Sequence, residues 1–248
     1  MAHYNRPQAR FSGDVGRALD VVLAVVGLVV FSPLMLLIAI AIVAESGRPI
    51  LFSQVRLGRN GKHFRMYKFR KFHPNCSPFG LPLTLSNDSR SSNVGRFLAR
   101  TKLDELPQLY NILRGDMAFV GPRPESLAFA NCFDGQYRPV LEYKPGIFGP
   151  SQAAFRNEAR LYPANGDLIA FYREVLFPLK ASLDLEYYPR RTLLKDVAWI
   201  VRGSLAVFGI HPTLAHLSEI DAFGLSRSAT TAADAHQVVR PARRASAT

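Results

Sequence analysis

Residues 21–44 read VVLAVVGLVVFSPLMLLIAIAIVA, an uninterrupted run without a charged side chain. As one helix it would be about 36 Å long, enough to cross the ~30 Å hydrocarbon core of a bilayer. It is apolar all round rather than along one stripe, unlike the core helix of a soluble domain. It is too long for the apolar core of a signal peptide, and no small-residue cleavage site follows it. Pro33, preceded by Ser32, interrupts it. Proline removes one helical hydrogen bond and clashes with the preceding turn, so the reading gives two half-helices of roughly 16–18 Å, each reaching only about mid-bilayer. The Ser32 hydroxyl can satisfy a carbonyl freed at the break.

Arg6, Arg10 and Arg17 precede the run; Arg48, Arg56, Arg59, Lys62, Arg65, Lys68, Arg70 and Lys71 follow it. Basic flanks mark the cytoplasmic side. Two basic flanks favour a hairpin that enters and leaves by one face; a single kinked span with the smaller flank outside is the alternative. The whole chain carries a formal charge of +12, which implies an anionic partner. Nucleic acid is set aside, because no zinc-finger spacing, RNP signature or helix-turn-helix pattern is present. Anionic lipid and a phosphorylated substrate remain. Cys76 and Cys132 have no CxxC spacing and make no disulfide framework, which fits a reducing cytoplasm. The six histidines are scattered without HxxxH or HExxH, which argues against a transition-metal site.

The 248 residues suffice for one good-sized domain plus accessory elements. Residues 50–72 alternate apolar and basic positions, and Gly58-Arg59-Asn60-Gly61 is a turn, so a two-stranded hairpin is expected with Arg56, Lys68 and Arg70 on its arms. Residues 73–83 are a proline-rich loop, Thr84, Asp88 and Arg90 a polar turn, and a short helix begins near Asn93. In 168–208, Trp199 sits among aliphatics with Arg190, Arg191, Lys195 and Arg202 alongside. That mixture fits an interfacial helix with its aromatic near the headgroups, and equally an amphipathic core helix. Residues 226–248 lack a hydrophobic pattern and are expected to be a disordered tail.

The chemistry concentrates in residues 99–125, ARTKLDELPQLYNILRGDMAFVGPRPE. Adjacent carboxylates, Asp104 and Glu105, suit a nucleophile paired with a base or metal ligand. Pro107 marks a helix start and puts Asp104 near the N-cap or first turn, where free N–H groups attract phosphate. An acidic N-cap without chemistry is the plain alternative. Arg123 lies between Pro122 and Pro124, which hold it as a fixed anion contact.

In this order and spacing the chain resembles the bacterial sugar transferase family, the monotopic phosphoglycosyl transferases. The likeness runs over about 14–208. It includes Gly16-Arg17-Ala18-Leu19-Asp20, Ser32-Pro33, Tyr67-Lys68-Phe69-Arg70, the Thr84, Asp88 and Arg90 turn, and Leu103-Asp104-Glu105-Leu106-Pro107-Gln108-Leu109. It continues through Gly115-Asp116-Met117, Val120-Gly121-Pro122-Arg123-Pro124 and Lys144-Pro145-Gly146-Ile147.

The resemblance implies an α+β, mainly helical protein. A basic segment (1–17) would lead into a re-entrant helix-break-helix (18–45), then a small cytosolic α/β catalytic domain with interfacial amphipathic helices (46–225), then the tail (226–248). It implies a bacterial inner-membrane enzyme with its catalytic domain on the cytoplasmic face. The enzyme would transfer a sugar 1-phosphate from a UDP-sugar to polyprenyl (undecaprenyl) phosphate through a covalent aspartyl phosphosugar intermediate, an acyl phosphate, and release UMP. Asp104 would be the nucleophile and the Mg2+ ligand, with Glu105 assisting. Arg123 would bind the nucleotide sugar; Lys68 and Arg70 are expected on the same basic wall, and Arg100 is a further expected substrate-binding residue. A homodimer is compatible with the family. The chain departs from it where Ala99 precedes Arg100, at Ala118, and at Phe148-Gly149-Pro150-Ser151-Gln152, where Thr-Gly-Trp-x-Gln is usual. The last departure bears on donor or acceptor choice. The rivals are a non-catalytic membrane scaffold of a polysaccharide assembly complex and a phosphohydrolase that passes the acyl phosphate to water.

Overall fold

A computed structural model describes residues 13–76, 83, 88–163 and 165–207. The polar turn at Thr84, part of the 73–83 loop and the 226–248 tail lie outside the described residues. Within them the protein is mostly helical, with two small two-stranded sheets.

Helix α1 (Gly13–Ser46) takes up the whole apolar run and continues through Pro33 without interruption, where the sequence led us to expect two half-helices. The local reason is visible. Pro33 has no N–H for the Val29 carbonyl, and the Ser32 hydroxyl donates to that carbonyl instead, at 2.8 Å. By length and composition α1 can cross a membrane. Its inward residues Ala24, Ile38 and Ile42 are buried, while Val22, Val26, Val29, Val30, Leu36, Leu37 and Ile40 are exposed.

Strands β1 (Leu51–Leu57) and β2 (His63–Phe69) form the expected antiparallel hairpin, in register from Leu51↔Phe69 to Leu57↔His63. Its turn uses left-handed backbone at Asn60 and Gly61, residue types that accept it most readily. Helix α2 (Asn93–Thr101) starts where expected, because the Ser92 hydroxyl accepts from the Gly95 N–H at 2.9 Å. A 3₁₀ turn over Leu103–Glu105 leads through Pro107 into α3 (Gln108–Arg114). Gly115, with φ +93°, ends α3, and Asp116 sits 3.5 Å from Arg114.

Strands β3 (Ala118–Val120) and β4 (Gly146–Phe148) pair in parallel, Ala118 with Gly146 and Val120 with Phe148. Helices α4 (Pro150–Ala154), α5 (Leu168–Phe171), α6 (Phe177–Tyr187) and α7 (Leu193–Val207) follow, with a π turn over Tyr172–Leu176 joining α5 to α6. On α7 the exposed apolar residues are Leu193, Leu194, Val197 and Val201. Trp199 instead packs edge-on against Tyr187 at 6.0 Å, with Arg202 over its ring. The aliphatic side chains, rather than the tryptophan, therefore form the outer apolar face.

The two ends of α1 meet the same compact body. Arg17 donates to the carbonyls of Ile112 and Leu113 at 2.6 and 2.8 Å, and Asp20 accepts from the Phe119 N–H at 3.1 Å. At the other end Glu45 caps α2, accepting from the Asn93 and Val94 N–H groups at 2.6 and 3.0 Å.

Candidate active site

Three short segments build the site. Lys102 ends α2 in the left-handed region (φ 62°), turning the chain so that Asp104 and Glu105 fall within one 3₁₀ turn. Asp104 therefore lies in the 3₁₀ turn that precedes the helix Pro107 opens, rather than in that helix's first turn. Strand β2 runs beside this turn and is locked to α3 by Asn111. That side chain accepts from the Tyr67 N–H at 3.0 Å and donates to the Arg65 carbonyl at 2.8 Å. The third segment is Pro122-Arg123-Pro124, leaving the end of β3. Gly121 and Gly146 pass backbone against backbone there, and a Cβ on either would lie 2.1 Å from the other segment. Farther along, the Leu57 N–H donates to the Glu125 carbonyl at 3.0 Å.

Lys68 on β2 meets Glu105 at 2.7 Å, and Arg123 lies 3.6 Å from the same carboxylate oxygen. Burial alone would raise the Glu105 carboxyl, but Lys68, Arg123 and Lys102 together hold it well below the usual carboxylate range. Asp104 is buried, and its Oδ1 has no hydrogen-bond partner. An orphaned buried carboxylate oxygen costs free energy unless a ligand, ion or reacting atom meets it. Burial pushes the Lys71 ammonium down to about 8, against the pull of Asp104 as its first opposing charge. Burial likewise lowers Lys102.

Of the candidates from sequence, Asp104, Glu105, Lys68 and Arg123 come together. Arg70 does not join them. It follows the last residue of β2, and its guanidinium donates to the carbonyls of Pro49, Phe72, Ser46 and Gly47, capping the end of α1. Arg100 is exposed on the last turn of α2, with no hydrogen bond or ion pair among the described residues. Ser32 and Pro33 sit within α1. Sequence reasoning missed Lys71 and Lys102 as site cations, although both lie inside stretches already singled out. It also missed Arg56, whose buried Nε lacks a partner.

Among the described residues no group of three or more metal-ligating side chains occurs. Magnesium does not need one, since it is held by one or two carboxylates together with substrate phosphate and water. The free Oδ1 of Asp104 fits that requirement.

Behind the arginine loop lies a buried polar layer. Lys180 on α6 pairs with Glu125 at 3.0 Å and Glu158 at 3.2 Å, and its Nζ lies 2.8 Å from the Tyr172 hydroxyl. One turn further along α6, Asp184 Oδ2 lies 3.1 Å from Ser151 Oγ, which lies 2.9 Å from Gln152 Oε1. Gln152 Nε2 donates to the carbonyls of Gly121 at 2.7 Å and Gly146 at 3.2 Å. Burial pushes the Asp184 carboxyl up to about 7.

A family model described as "Bacterial sugar transferase" matches residues 12–209. The chain is 39% identical over 143 residues to the UDP-N-acetylgalactosamine-undecaprenyl-phosphate N-acetylgalactosaminephosphotransferase of Aeromonas hydrophila, covering 56% of this chain and 33% of that protein. It is 38% identical over 156 residues to the UDP-glucose:undecaprenyl-phosphate glucose-1-phosphate transferase of Escherichia coli, covering 60% of this chain and 33% of that one. The protein of the same name from Caulobacter vibrioides is 33% identical over 189 residues, covering 75% of this chain and 67% of its own length. The chain thus spans about a third of the first two relatives.

Proposed function

We propose, since the chain belongs to the bacterial sugar transferase family, that it transfers a sugar 1-phosphate from a UDP-sugar to undecaprenyl phosphate. Asp104 is the nucleophile in this reading. Its carboxylate attacks the phosphorus that bears the sugar, the bond to UMP breaks, and an aspartyl phosphosugar remains. A phosphate oxygen of the acceptor then attacks the same phosphorus and frees Asp104. The observation that carries the reading is the buried, unpartnered Oδ1 of Asp104 beside a carboxylate already neutralised by Lys68 and Arg123. Glu105 keeps those two cations aimed into the site, and Arg123 contacts the donor diphosphate. Asp104 would also hold Mg2+, which neutralises phosphate charge and aligns the displaced groups.

The membrane arrangement proposed with this activity is re-entrant: α1, helical throughout, would bend at Ser32-Pro33 and keep both of its ends on the cytoplasmic face of the inner membrane. A single span would carry Arg17 and Glu45 to opposite sides. Both instead bond to one compact body. The exposed aliphatic side chains of α1 and of α7 supply the apolar surface for the bilayer. A lipid acceptor keeps its tail there while its phosphate meets the cytoplasmic donor.

The test is UMP release from the purified protein with UDP-glucose and UDP-N-acetylgalactosamine, with and without undecaprenyl phosphate. Acceptor-dependent release is expected. Acceptor-independent sustained release would establish a phosphohydrolase, and no release with any UDP-sugar would favour a scaffold.

A further inference from the structure

We propose that Asp184, Ser151 and Gln152 form a buried hydrogen-bond relay that positions Arg123, making Asp184 a positioning residue for donor binding although it never touches the donor. The inference rests on the reading of Arg123 as a donor contact.

Gln152 Nε2 faces two carbonyls, Gly121 at the end of β3 and Gly146 at the start of β4. Only an amide NH2 can satisfy both, so the amide orientation is fixed and Oε1 must point at Ser151. Gly121 stands two residues before Arg123, and the intervening Pro122 has a preset φ. Holding the Gly121 carbonyl therefore sets the direction in which Arg123 leaves the strand. The other flank of the loop is tied separately, by Glu125 to Lys180 on the same helix as Asp184.

Ser151 Oγ lies within hydrogen-bond distance of two acceptor oxygens, Gln152 Oε1 and Asp184 Oδ2, but has one proton to give. Both contacts are satisfied when Asp184 carries a proton. Asp184 then donates to Ser151 Oγ, Ser151 donates to Gln152 Oε1, and Gln152 donates to the two strand carbonyls. Complete burial of Ser151 and near-complete burial of Asp184 exclude water as a substitute donor. The burial that raises the Asp184 carboxyl agrees with the protonated form.

The experiment is donor kinetics on the full chain, with UMP release read at saturating undecaprenyl phosphate and folding followed by thermal denaturation. Asp184→Ala is expected to raise the donor KM about tenfold, the scale of one buried hydrogen bond, with much less effect on kcat. Asp184→Asn, whose amide donates to Ser151 as the protonated acid does, should restore the KM. In an Arg123→Ala background, Asp184→Ala should raise the KM no further, because the relay acts only through Arg123. A normal KM for Asp184→Ala, failure of Asn to restore it, or a full additional loss in the Arg123→Ala background overturns the relay. If Asp184→Ala does not fold, Ser151→Ala removes only the linking hydroxyl and carries the same KM and double-variant expectations. An unchanged donor KM for Arg123→Ala alone would instead sink the donor-contact reading, and the relay with it. An impaired Arg123→Ala beside a normal Asp184→Ala would sink the relay alone.

Discussion

Lys68→Met is the perturbation whose energy the structure defines most closely. Lys68 and Glu105 are 2.7 Å apart, with side chains only 13% and 11% exposed. Removing one partner of a buried pair typically costs about 3–5 kcal/mol, because the other charge is left uncompensated. Arg123 at 3.6 Å and Lys102 remain, so the loss should fall at the lower end, about 3 kcal/mol. The sign with pH follows from Glu105. Its carboxyl is depressed in the folded protein, so its contribution is complete above the ordinary glutamate value of 4.5 and fades as pH falls below it. In Lys68→Met the carboxyl moves back up, so wild type and variant should differ most near neutrality and converge in acid. Denaturant unfolding of both proteins in the same detergent, from neutral to acid pH, reads this difference. The double variant Lys68→Met/Glu105→Gln should recover much of the loss, since no buried charge is stranded. Equal stability of wild type and Lys68→Met at neutral pH, or a double variant no better than the single one, would refute the reasoning.

Three further outcomes are expected. Asp104→Asn should lower turnover at least about a hundredfold, as loss of a central catalytic group does, and near-normal turnover would remove Asp104 as nucleophile. Asp184, raised to about 7 from an ordinary 3.8, favours the folded state fully below pH 3.8, and that contribution is lost as pH rises through about 7. Stability relative to Asp184→Asn should therefore fall across that window, and parallel curves would contradict it. Single cysteines near residues 5 and 60, in a background without Cys76 and Cys132, should both resist a membrane-impermeant thiol reagent in intact cells until permeabilisation. Labelling near residue 5 alone would establish a span.

Much of this architecture was legible because its determinants are local. Period-two alternation and the Gly58-Arg59-Asn60-Gly61 turn specify the hairpin. Ser92 marks the start of α2, and uninterrupted apolarity marks α1. What stayed hidden depends on contacts far apart in sequence. Arg70 shares with Lys68 the alternation that puts both on one strand face, but the strand stops at Phe69. The carbonyls at the end of α1 then capture the guanidinium. Nothing in the identity of Lys102 announces a left-handed backbone, yet that residue turns Asp104 and Glu105 into a single 3₁₀ turn. Lys180 and Asp184 read as ordinary polar positions of an indifferent helix. Their roles exist only because α6 packs behind the loop that carries Arg123.

The charge arrangement at the dyad links these local and distant determinants. Lys68, Lys71, Lys102 and Arg123 surround two carboxylates, so cations outnumber anions in a largely buried space. An uncompensated excess of this kind is costly in low dielectric; burial first, with Lys68 and Lys102 adding to it, makes Lys71 give up its proton more readily than a free lysine. In the proposed reaction a donor diphosphate would supply the missing negative charge. Its binding should therefore draw Lys71 back to full protonation and tighten the whole cation ring around the attacked phosphorus. The same electrostatics explain why Glu105 stays ionised beside Asp104. In the proposed mechanism it would not compete for the reaction but would keep Lys68 and Arg123 gathered for the donor phosphates.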